Sequence, residues 1–138
     1  MQKVMSTIIC EAQAGFIPGR KLGDNIVLAH ELVQGYNRKH VSPRRMIKID
    51  LQEAYDSIEW VYLKQVMEEL GFPTKYTTWV LECVSTVSYS IIINGEPTLP
   101  FEAARGLRQG DPMSPFLFAI GMEYLSRMLN GLKEIKEF

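Results

Sequence analysis

Val4, Met5, Ile8 and Ile9 recur at helical spacing, so the chain opens on a helix that the glycine- and proline-bearing segment from Gly15 to Gly23 interrupts. A second period through Ile26, Leu28, Ala29, Leu32, Val33 and Tyr36 predicts an amphipathic helix from Asp24 to Tyr36, its acidic start suited to the positive end of the helix dipole. Met46 to Ile49 is short, apolar and compatible with a strand that gives out at Asp50. From Ala54 the period lengthens again through Ile58, Val61, Tyr62, Val66 and Leu70, a helix that Gly71 closes, and Pro73 restarts one with Trp79, Val80, Cys83 and Val84 on its apolar side. Two strand-like runs flank Asn94-Gly95, a hairpin signal. A loop with glycines at 106 and 110 precedes Ser114-Pro115, which starts a last helix with Leu117, Ile120, Tyr124 and Met128 on one face. These elements predict an α+β fold, a small antiparallel sheet packed with helices.

Composition narrows the classes. With 138 residues, 46% apolar and 22% charged, the chain suits one modest globular domain rather than a disordered segment. A formal net charge of -1 rules out a basic surface spread over the whole molecule and leaves only local patches for nucleic acid. Cys10 and Cys83 stand far apart without a CxxC, so neither a zinc site nor a disulfide framework is expected, and both read as buried thiols in a reducing compartment. No run is long and apolar enough to span a bilayer, and the first residues lack the pattern of a secretory signal. Both ends read as cut, the first as the end of a helix and the last, GLKEIKEF, as stopping without a turn signal.

Three strings carry candidate chemistry. In MIKIDLQEAYDSIEW (46–60), Asp50 sits where an apolar strand ends, a placement that projects a carboxylate into a cleft and suits a metal ligand. The structural alternative is a helix N-cap with Glu53 three positions on, a capping box contributing about 1 kcal/mol. In RGLRQGDPMSPFLFAI (105–120), Gly106 and Gly110 allow backbone conformations closed to other residues, Gln109 faces a substrate, and the Ser114-Pro115 helix start aims unpaired amides at an anionic groove. A capped core helix explains Ser114 and Pro115 but not the order Arg105, Gly106, Arg108, Gln109, Gly110, Asp111. In QAGFIPGRKLGDNI (13–26), Arg20 and Lys21 are candidates for phosphate contacts, a solvated loop being equally economical, and Arg38, Lys39, Arg44 and Arg45 around Pro43 could follow a nucleic-acid backbone, though such a cluster is more often exposed turn surface.

Taken in this order, the three strings resemble the reverse transcriptase of non-LTR, LINE-type retrotransposons, most closely those of plants, over nearly all of the chain from Gln13 to about Leu129. GDPMSP after the glutamine separates this branch from group II intron proteins, which usually carry a Gly-Gly-aliphatic run there. The resemblance implies a partial palm and fingers of a right-hand polymerase, incomplete at both ends, with residues 1–45 closing the fingers and a connecting helix and 46–138 forming the palm portion. It implies Asp50 as catalytic metal ligand, Tyr55 as the aromatic that excludes a 2′-hydroxyl, and Leu51, Arg20, Gln109 and Gly110 as nucleotide or template contacts. Asp56 is implied as structural support.

Magnesium is the expected cofactor, an RNA template, a DNA primer and a deoxynucleoside triphosphate the expected partners, and an intracellular, nuclear setting the expected location; no membrane is implied. In the family a basic fingers segment precedes these motifs and an aromatic-Ala-Asp-Asp hairpin completes the metal site. No two aspartates are adjacent in this chain. The expectation is therefore a polymerase fragment inactive alone, with poorly covered apolar surface, the alternatives being a non-catalytic RNA-binding remnant or an inert structural fragment.

Overall fold

The computed structural model describes residues 2–36 and 46–132. Among them, helices α1 (Gln2–Ile8), α2 (Leu22–Gln34), α3 (Trp60–Glu69), α4 (Thr74–Ser85) and α5 (Ser114–Gly131) account for the long apolar periods. Strands β1 (Ser88–Tyr89), β2 (Ile92–Ile93), β3 (Glu96–Pro97) and β4 (Phe101–Glu102) lie between α4 and α5, so the fold is α+β. The basic turn predicted around Pro43 lies outside the described residues.

The core forms where α3 packs on both α4 and α5. Leu63 and Met67 of α3, Leu117 and Ile120 of α5 and Leu107 of the preceding loop are fully or almost fully buried, and Met5 and Ile9 extend the same cluster to the first segment. Each such side chain contributes roughly 1.5–3 kcal/mol by leaving water. A Schellman motif ends α3: the Phe72 amide donates to the Met67 carbonyl and the Gly71 amide to that of Glu68, both at 3.0 Å. Phe72 then stacks on Tyr76, with 5.8 Å between ring centroids, turning the chain directly into α4.

Several sequence expectations are corrected. No helix runs from Ala54: residues 52–57 form irregular turns, Glu53 has φ 48°, and Ile58 enters the core ahead of the first helical residue, Trp60. A capping box at Asp50 and Glu53 is thereby ruled out, since no helix starts there. On α4 the buried residues are Thr77 and Val80, whereas Trp79 and Cys83 face solvent. Cys10 is only half-buried, so neither thiol is a core residue. Tyr124 and Met128 of α5 are exposed, and Ala119, Gly121 and Glu123 take the buried face instead.

The sheet departs most from expectation. Asn94 (φ 52°) and Gly95 (φ 88°) form the predicted hairpin turn between β2 and β3, and β1 pairs with β4 outside it, all antiparallel. These are two separate two-stranded ladders, every residue exposed, and not a layer beneath the helices. Residues 46–50 form no strand; Ile47 is 73% exposed and Met46 and Ile49 are about half exposed. The sequence supplies a strand's composition there, but a strand exists only with a hydrogen-bonding neighbour, and none of the described residues provides one. Likewise α2 buries no residue, although Ile26, Leu32 and Val33 line it at the predicted spacing.

Candidate active site

Two chain segments distant in sequence, one holding Tyr55 and Ile58 and the other Gly106 and Leu107, are clasped by their backbones. The Gly106 amide donates to the Ile58 carbonyl at 2.9 Å and the Leu107 amide to the Tyr55 carbonyl at 3.0 Å. The Trp60 indole N–H donates to the Gly106 carbonyl at 2.8 Å. Gly106 has φ 94°, and a Cβ there would lie 3.2 Å from the Asp56 Cα, so this crossing needs a residue without a side chain. Asp56 takes part in this crossing only through the close approach of its backbone to Gly106.

The clasp brings Tyr55 to the mouth of a cavity of about 600 Å³ whose other walls are Gln109, Gly110, Asp111, Pro112, Ser114 and Pro115. That volume lies within the range of small-molecule sites. Tyr55 is fixed from behind, where its ring stacks on Phe118 with 5.1 Å between centroids and 22° between planes.

The floor of the cavity is an interlocked turn. The Asp111 carboxylate accepts from the Met113 amide at 2.7 Å, its carbonyl accepts from the Ser114 amide at 3.1 Å, and the Ser114 hydroxyl donates to the Arg108 carbonyl at 2.6 Å. Met113, not Ser114, is the N-cap of α5. The expected unpaired amides are therefore absent: Ser114 is bonded, Pro115 has none, and the Phe116 and Leu117 amides bond to the Met113 carbonyl. Asp111 bonds the Met113 and Ser114 amides just ahead of and at the helix start, a turn for which the Asp-Pro-x-Ser order was the local signal.

The remaining candidates lie elsewhere. Arg20 does not line the cavity but caps the C-terminal end of α1: its guanidinium donates to the carbonyls of Ser6, Ile9, Cys10 and Gln13. Four of its five donors are thus engaged within the chain, which leaves little with which to hold a phosphate. Sequence reasoning missed the buried Glu123, which accepts from the Cys10 amide and from Arg127 Nε, each at 2.8 Å, and so pins the first segment to α5. A buried acid on an otherwise apolar helix face was its only signal.

Asp50 and Leu51 are exposed and are not among the residues lining the cavity. Among the described residues, no three His, Cys, Asp or Glu side chains are grouped to hold a metal ion. A single exposed carboxylate does not fit a two-cation centre, whose ions need several oxygen ligands.

The chain matches the model of the reverse transcriptase (RNA-dependent DNA polymerase) family over residues 1–136, and it belongs to that family. Its relatives place it in the non-LTR retrotransposon branch. Over 117 residues, 85% of this chain, it is 30% identical to the retrovirus-related Pol polyprotein from type-2 retrotransposable element R2DM of Drosophila melanogaster, covering 11% of that protein. Over 136 residues, 96% of this chain, it is 26% identical to the transposon TX1 uncharacterized 149 kDa protein of Xenopus laevis, covering 10% of it. A 43-residue stretch, 31% of this chain, is 49% identical to an uncharacterized mitochondrial protein of Arabidopsis thaliana and covers 35% of that protein. The chain thus spans about a tenth of the first two relatives, and no helix among its described residues is long and apolar enough to cross a membrane.

Proposed function

We propose that this chain forms the nucleotide-facing part of an RNA-directed DNA polymerase, with residues 46–138 in the palm and 1–45 closing the fingers. The carrying observation is the convergence of Tyr55, Gln109 and Gly110 on one cavity from opposite sides of the backbone clasp. In this reading the cavity takes a deoxynucleoside triphosphate. The Tyr55 ring packs under its sugar and leaves no room for a 2′-hydroxyl, Gln109 offers an amide to the nucleotide or template, and Gly110 lets the substrate approach the main chain. Template RNA and primer DNA run past Leu51 and the mouth of the cavity.

Reverse transcriptases generally use divalent metal ions. Asp50 is proposed as one carboxylate ligand for magnesium, in a site whose other acids come from outside the described residues. The chain by itself is expected to give no primer extension. The test is Asp50→Asn in a chain extended through the family's aromatic-Ala-Asp-Asp hairpin. Primer extension on an RNA template with magnesium should fall at least a hundredfold, and retained activity would remove Asp50 from the site.

A further inference from the structure

Tyr55 lines the cavity, whereas Phe118, the residue it stacks on, does not. Phe118 belongs to α5, one helical turn beyond Ser114, and is half-buried against the core cluster. Its ring therefore stands behind Tyr55, out of reach of anything in the cavity. The Tyr55 backbone is fixed independently by the bond its carbonyl accepts from the Leu107 amide, so what Phe118 constrains is the ring itself. A ring that separates sugars by one hydroxyl must hold its place closely, because a swing backward would open room for the small group it excludes. Aromatic stacking resists such a swing more than a flexible aliphatic neighbour does, since the two planar faces stay in contact over a narrow range of angles.

We propose that Phe118 is a positioning residue that holds the Tyr55 ring against the sugar and thereby sets discrimination between deoxyribo- and ribonucleoside triphosphates. The inference rests on the reading of Tyr55 given above. It assigns Phe118 no contact with the nucleotide and no part in the chemical step.

Replacing Phe118 with Leu keeps an apolar filler but removes the flat support, and Phe118→Tyr keeps the ring. In the complete polymerase carrying these residues, the ratio of kcat/KM for a deoxynucleotide to that for its ribonucleotide should fall roughly three- to tenfold in F118L, mainly through a lower ribonucleotide KM, and should return in F118Y. Tyr55→Val is the reference and should lower the ratio further. No change in Y55V would refute the assignment of Tyr55. A change in Y55V with none in F118L would overturn the role of Phe118 alone. Should F118L fail to fold, magnetization transfer between the Tyr55 and Phe118 rings of the unmutated protein decides: the two rings must cross-relax, and its absence overturns the proposal.

Discussion

Replacing Gly106 with alanine strikes the crossing of the two motif-bearing segments. The backbone there has φ 94°, and the added Cβ would meet the Asp56 Cα at 3.2 Å and the Asp56 carbonyl oxygen at 3.4 Å. Holding an L-residue at such a φ costs about 1–2 kcal/mol. Because the obstacle is backbone, the crossing must widen, which strains the Gly106 amide bond to Ile58 and the Trp60 indole bond to Gly106, each contributing about 1 kcal/mol net. The expected total is about 3 kcal/mol. Gly110 is the internal control: its φ is 86°, yet a Cβ there meets nothing within 4 Å, so Gly110→Ala should cost only the conformational part, about 1–2 kcal/mol. Urea unfolding at submicromolar concentration, followed by tryptophan fluorescence, measures both. With a slope of roughly 1–3 kcal/mol per molar, G106A should lower the midpoint by at least about 1 M at unchanged slope, and by clearly more than G110A. Equal shifts for the two variants would refute the claim that close approach to Asp56, rather than the dihedral alone, fixes this glycine.

Glu123→Ala should cost about 1–3 kcal/mol in the same experiment, because it removes the partner of the part-buried Cys10 amide, whereas Arg127→Ala should cost less than about 1 kcal/mol, its guanidinium being half exposed. Arg20→Lys replaces a planar fork spanning several carbonyls with a point charge and should loosen α1, seen as faster amide exchange at Ile9 and Gln13, while leaving nucleotide affinity of the complete polymerase unchanged. Burial, with a smaller push from the Tyr124 phenol, raises the pKa of Tyr62 above the ordinary phenol value. The unfolded chain therefore releases that proton first, so this stability is whole below a pH of about 10 and is lost as pH rises through the folded value; Tyr62→Phe should flatten the alkaline loss in thermal melts. The chain alone should self-associate on sedimentation, because Ile26, Leu32, Val33, Ile47, Ile92 and Leu99 are all exposed; a monomer up to high concentration would contradict this.

Local chemistry was legible wherever it is completed within a few residues. Period 3.6 located the five helices because an apolar stripe repeats regardless of what covers it, and Gly71 and Asn94-Gly95 marked a helix end and a hairpin because positive φ is a property of single residues. Tyr55, Gln109 and Gly110 were also readable in advance, since the order of residues around them is specific. What covers a stripe was not readable: α2 has the pattern of a packed helix and buries nothing, and 46–50 has the composition of a strand and pairs with nothing.

Sequence by itself thus determined the family, the helices as element types and three of the residues that line the cavity, Tyr55, Gln109 and Gly110, because each is written in neighbouring positions. Only the tertiary structure decided that Arg20 spends its charge on carbonyls, that Met113 rather than Ser114 is the N-cap of α5, and that Phe118 backs Tyr55. Those outcomes depend on which distant groups arrive within 3–5 Å of one another, a matter of packing that hydrogen-bond donors and aromatic rings do not announce in the order of the chain.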